Sequence, residues 1–169
     1  MTIRRFSYES LKTLSRKAQR SQRFRKHLNI HASHKESCQR LLNAIGVGSY
    51  IHPHRHLLDP KVESLIAVRG LFALVTFDDV GTVQEIIRFG TEKYSTNEDI
   101  DVGVELSPMD WHTVIALAPN SVLFELKPGP FNQDVAKELA SWAPDEKDSE
   151  EVQYYLEKLY CLSKNQFKK

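Results

Sequence analysis

The spacing of apolar residues changes twice along the chain. Over Tyr8 to His27, Leu11, Leu14, Phe24 and Leu28 form a thin stripe, and over Ser33 to Ala44 the residues Cys38, Leu41, Leu42 and Ile45 form a denser one. Both have the spacing of a helix with one buried face. The second predicts a short helix capped by Ser33 and ended by Gly46, since a serine side chain can accept from the free backbone N–H groups of a first turn. The first fits either a poorly buried helix or a mobile arm.

After Gly46 the period falls to two. Runs rich in β-branched and aromatic residues predict strands at Gly48 to His52, Ser64 to Arg69, Leu71 to Phe77, Thr82 to Phe89, Val102 to Leu106, Thr113 to Leu117 and Ser121 to Lys127. Turn-forming groups separate them, among them Asp78-Asp79-Val80-Gly81, Ala118-Pro119-Asn120 and Pro128-Gly129-Pro130. Many short strands with no helices between them predict an all-β core, a sandwich or closed barrel. Beyond Pro130 helical spacing returns. Asn132 can cap a short helix through Trp142, and Asp148 with Glu151 suits a capping box for a helix over Glu150 to Leu162. In that last helix Val152, Tyr155, Leu156, Leu159 and Leu162 share a face, which suits packing on the barrel or against a second subunit.

The chain thus divides into a basic N-terminal arm or helix (residues 1–32), a barrel with a leading helix (33–131) and a C-terminal helical extension packed on the barrel (132–169). At 169 residues one hydrophobic core is expected. No run approaches the roughly 18 consecutive apolar residues of a membrane span. Cys38 and Cys161 are a lone distant pair, which suits free thiols better than a disulfide framework. With no apolar stretch near Met1, the expected location is the cytoplasm.

Charge changes the picture at one place. Residues 1–27 carry nine Lys or Arg against the single Glu9, so this arm is +8; the remaining residues carry 14 basic and 21 acidic side chains, a balance of −7. Such an arm can lie solvated, dock on the acidic body or contact an anionic ligand. Its Arg-rich, acid-poor composition also fits a transit peptide. It carries no base-reading motif or aromatic platform, which argues against a nucleic-acid partner.

The segment His52-Pro53-His54-Arg55-His56 holds three of the seven histidines. In extended chain alternate side chains face together, so His52, His54 and His56 should lie on one side and Arg55 on the other. Two imidazoles about 6–7 Å apart along a strand can converge on one ion. Imidazole suits zinc, iron, nickel or copper, and one carboxylate offsets part of the cation's charge. Glu63 is the nearest candidate carboxylate, and His112, at the head of a later apolar strand, is a candidate fourth ligand.

These residues also resemble a known pattern. Gly48, His54, Arg55, His56, Glu63 and Gly70 resemble the first cupin motif, and Gly103 with Pro108-Met109-Asp110-Trp111-His112 the second. Asp110 stands where a glycine is usual, and the gap from His56 to Glu63 is longer than in the commonest form. That gap, with Trp111-His112, Glu125-Leu126-Lys127-Pro128-Gly129-Pro130-Phe131, Trp142-Ala143-Pro144 and upstream Arg25, Asn29, His31 and Arg40-Leu41-Leu42-Asn43, resembles the WbuC-type cupin-fold metalloproteins. The likeness runs from about Arg25 to Trp142. It implies a double-stranded β-helix, or jelly-roll barrel, with flanking N- and C-terminal helices and one divalent transition metal ion (zinc, iron, nickel or manganese) on His54, His56, Glu63 and His112. It also implies an association with surface-polysaccharide genes. Spacing alone supports the first two ligands; the last two depend on the resemblance.

Such a site suits an enzyme acting on a small polar substrate such as a sugar or nucleotide-sugar, isomerase- or epimerase-like. The rivals are a metal-dependent dioxygenase and a non-catalytic metal- and ligand-binding module, with an anionic ligand in view. Glu125 and Lys127 share one strand face as a carboxylate base beside a cationic anchor, or as a surface ion pair; Arg69 is a further candidate for the site's lining. His52 is a candidate acid or base behind the ligands, a replacement ligand, or part of the strand entrance. Barrel edges and the C-terminal stripe suit a homodimer.

Overall fold

The computed structural model describes residues 3–95 and 100–165. In chain order the described residues form α1 (Tyr8–Gln19), β1 (Arg25–Asn29), β2 (Cys38–Ile45), β3 (His54–Arg55), β4 (Glu63–Arg69), β5 (Leu71–Phe77), β6 (Val83–Gly90), a 3-10 turn at Glu92–Tyr94, β7 (Gly103–Leu106), β8 (Trp111–Ala116), β9 (Ser121–Pro128), β10 (Glu138–Leu139) and α2 (Ser149–Asn165). The strands pair antiparallel into two five-stranded sheets, ordered β1-β2-β9-β4-β7 and β10-β3-β8-β5-β6.

Strand alternation sorts the side chains into three apolar groups. Ile45, Leu65, Phe72, Leu74, Phe89, Leu106, Val114 and Leu123 meet between the sheets. Their neighbours in sequence face outward. Ala73, Val75 and Ile115 pack under Leu156 and Leu159 of α2, and Leu42, Ala44 and Val122 under Leu11, Leu14 and Ala18 of α1. Each sheet therefore carries one helix on its outer face. Phe72 and Phe89 are fully buried and stack with ring centroids 5.2 Å apart. Gly70 alone carries the chain from one sheet to the other. Its φ is +87°, and a Cβ there would lie 2.1 Å from the Ser121 hydroxyl, so only glycine fits this corner.

The expectation of a jelly-roll barrel with flanking helices is met, with three local corrections. Residues 33–44 are not a helix: Cys38–Ile45 is strand β2, buried inward through Ile45 and outward beneath α1 through Leu42 and Ala44. A strand covered on both faces loses the clean alternation that identifies half-buried strands. Residues 48–52 are irregular, and the strand begins at His54. The helix expected over Asn132 to Trp142 is instead an irregular segment holding β10. At the N-terminus α1 ends at Gln19 and is followed by β1, whose Lys26, His27, Leu28 and Asn29 are exposed on a sheet edge. Charged residues there discourage further strand pairing.

The C-terminal stripe packs on the barrel: Leu156 and Leu159 are buried, and α2 begins with Asp148 accepting from the Glu151 backbone N–H at 3.1 Å. None of the described helices is long and apolar enough to cross a membrane.

Candidate metal centre

The polar cluster occupies the inner face of the same strands that build the core. His112 is two residues before Val114 on β8, and Glu63 two before Leu65 on β4, so each inherits the inward direction of its apolar neighbour. On β3, His54 pairs in register with His112. His54, His56, Glu63 and His112 are 2–5% exposed, and one ligand atom from each lies within 4.8 Å of all the others. That approaches the roughly 4 Å separating opposed donors around an ion with bonds of ~2.0–2.2 Å.

Hydrogen bonding fixes how the imidazoles are presented. Nδ1 of His54 lies 2.9 Å from the carbonyl of His52, Nδ1 of His112 lies 2.8 Å from that of Asp110, and Nδ1 of His56 lies 2.6 Å from that of Ala136. A carbonyl only accepts, so each Nδ1 carries a proton and each ring turns its Nε2 toward the cluster. Nε2 of His56 and of His112 sit 3.3 and 3.6 Å from Oε2 of Glu63. Lone pairs facing a carboxylate in a buried space repel, so a proton or a metal cation must lie among these atoms. The four residues thus fit a divalent ion held by three nitrogens and one oxygen.

Nearby charges act on these groups. Burial, then the Lys137 charge, hold His54 well below the usual histidine range, outweighing the pull of Glu63. Burial would raise the Glu63 carboxyl, but the Lys127 ammonium holds it well below its ordinary value. Lys127 Nζ lies 3.4 Å from Glu63 and 3.0 Å from Glu125. Burial disfavours this ammonium, yet the two carboxylates raise its pKa above the ordinary lysine value. With two acids on one lysine, Glu125 yields: burial and the Glu63 charge push it up to about 7, against the pull of Lys127.

Glu125 and Lys127 are inward-facing, not a surface pair, and line a concavity of about 1810 Å³ with His31, Gln39, His52 and Lys137. His52 borders this space without joining the converging four. Its Nε2 is 2.9 Å from the Ala140 carbonyl, and its own carbonyl orients His54. Arg55 faces away as its alternation requires, over the Trp111 ring at 4.3 Å and paired with Glu138 at 2.8 Å. Trp111 is buried packing under α2. Arg69 lies at the opposite end of β4, in register with Val122, about 20 Å along the strand from Glu63.

Two contributors were invisible in the sequence. The Ala136 carbonyl orients His56, and β10 sets Leu139 opposite His54 and Glu138 opposite Arg55. Backbone acceptors carry no residue-type signal. Lys137, between them, lies in a segment whose spacing suggested a helix.

A family model described as a domain of unknown function (DUF6016) matches residues 6–89. No curated protein matches the chain. Among solved structures it is similar to protein SO0799 from Shewanella oneidensis, at 10% identity and TM-score 0.51 over 82% of this chain and 83% of that one. It is also similar to Rru_A2000 from Rhodospirillum rubrum, a cupin-2 domain, at 11% identity and TM-score 0.49 over 80% of each chain. A third is KdgF from Halomonas sp., at 16% identity and TM-score 0.48 over 65% of this chain and 83% of that one. Two antiparallel five-stranded sheets closed over an inward cluster of three histidines and one glutamate give this chain a double-stranded β-helix, or jelly-roll, fold like that of SO0799.

Proposed function

We propose that the protein is a metal-dependent enzyme acting on a small polar substrate, a sugar or nucleotide-sugar, by isomerase- or epimerase-type proton transfer. The observation that carries this reading is the convergence of three oriented Nε2 atoms and the Glu63 carboxylate beside the Glu125–Lys127 pair. His54, His56, Glu63 and His112 would hold the ion, which when bound supplies Lewis-acid polarisation of a substrate oxygen. In this reading Glu125 takes or returns a proton and Lys127 holds that carboxylate, a role supported by their 3.0 Å contact on the wall of the concavity. His52, on the same wall, is a further proton-transfer candidate. The setting in surface-polysaccharide metabolism rests on the resemblance to WbuC-type proteins. A cytoplasmic location fits Cys38 and Cys161, which are exposed and not joined in a disulfide.

The donor set also suits ferrous iron, which favours a dioxygenase as the second reading. Elemental analysis of protein purified without added metal tests the site and separates the readings. We expect near-stoichiometric metal in the parent and about a tenth or less in His54→Ala and His112→Ala. Full metal in both variants would refute the site. Iron with substrate-dependent oxygen uptake would favour the dioxygenase.

A further inference from the structure

Most cations around the cluster already have an acid. Lys127 is held by Glu63 and Glu125, Arg25 by Glu146 and the Tyr50 carbonyl, Arg55 by Glu138, and Lys61 by Asp59. Lys137 is different. Among the described residues no hydrogen bond or ion pair holds its ammonium.

Its backbone, by contrast, is fixed on both sides. The preceding carbonyl takes the proton of His56, and the next two residues pair with Arg55 and His54. The side chain lines the concavity, accessible to water yet with protein around it. It lies within electrostatic reach of Glu63, Glu125, Lys127 and Arg25, and it is the foremost charged neighbour acting on His54. The protein crowded around the concavity, with Lys127 and Arg25, pulls this ammonium below the ordinary lysine range against the attraction of Glu63 and Glu125, and an arriving anion would oppose that pull.

We infer that Lys137 is the anchor for an anionic group, carboxylate or phosphate, on a small ligand whose remaining polar atoms reach the metal centre. The inference rests on the metal-binding reading above and adds the charge of the ligand and the residue that selects it. Lys137 acts by a charge-assisted hydrogen bond to the ligand and not by contributing to the ion's shell.

The test uses the full chain loaded with metal, titrated calorimetrically with glucose, glucuronate and glucose 6-phosphate, for the parent, Lys137→Met and Lys137→Arg. Metal content is measured on every sample. One or both charged sugars should bind the parent at least about tenfold more tightly than glucose, the worth of one such contact. Lys137→Met should lose that preference at unchanged metal content, and Lys137→Arg should keep most of it. Preference for glucuronate assigns a carboxylate, and for glucose 6-phosphate a phosphate. Three results would overturn the anchor while leaving the metal reading intact: no binding of either anion by metal-loaded parent, an undiminished preference in Lys137→Met, or loss of metal in that variant. A parent protein that takes up no metal would remove both readings.

Discussion

Glu63 and Leu65 lie two residues apart on one face of β4, as do His112 and Val114 on β8, and Leu123 and Glu125 on β9. Along each strand a single step of about 6–7 Å crosses from a close-packed apolar half to a charged half. The two halves share backbone, sheet and alternation and differ only in what fills the inward positions. The apolar half holds the strands in register without any ligand, through burial worth ~1.5–3 kcal/mol per large side chain. The charged half has the Lys127 pairs to Glu63 and Glu125, but its imidazole nitrogens converge on a carboxylate. It borrows its geometry from the other end and would gain stability from a bound cation.

The comparison can be broken first at Phe72, which is fully buried between the sheets. Phe72→Ala should cost about 3–5 kcal/mol in urea unfolding, while the protein still folded keeps its metal. Parallel loss of metal and stability would mean that the halves are not separable. Removing the metal comes next. With free metal at a thousand times its dissociation constant, chelation should lower stability by about 4 kcal/mol. The same treatment should leave His112→Ala unchanged, and thermal unfolding with and without chelator reads both. The smallest effect belongs to a clasp outside both halves, where Glu146 accepts from Arg23 at 2.7 Å and from Arg25 at 2.9 Å. Burial opposes the charged carboxylate, but the two arginines outweigh it and lower its pKa. A depressed acid stabilises the fold above its unfolded value and loses that contribution as pH falls through the folded one. Glu146→Gln should therefore cost under ~1 kcal/mol at neutral pH, and its unfolding curves should merge with the parent's below the usual glutamate range.

Much of the charged half was readable from the chain because strand geometry is local. The two-residue spacing of His54 and His56 implies their common direction without knowledge of any partner. Glu63 and His112 needed the family pattern, since nothing local says that β4 and β8 face each other across the barrel. His52 shows the limit of the alternation argument: its residues are irregular, and its ring turns to the Ala140 carbonyl. The strands from Glu63 to Lys127 were legible from their period. Strand β2 was hidden because α1 and the barrel interior bury its two faces, and its apolar residues then mimic helical spacing. Lys137 was lost in the same way, within a stretch taken for a helix, where a lysine signifies only solvent.

The contact from Ala136 to His56 also gives the site an order of assembly. A ribosome has delivered all four candidate ligands once residue 112 is made, and most of the barrel by residue 128. Until the chain reaches 136, no carbonyl holds the proton of His56 on Nδ1, and that ring can expose either nitrogen. The nascent protein therefore has its ligands before it has their orientation. The direction in which His56 faces is fixed by a segment synthesised after the barrel is otherwise complete.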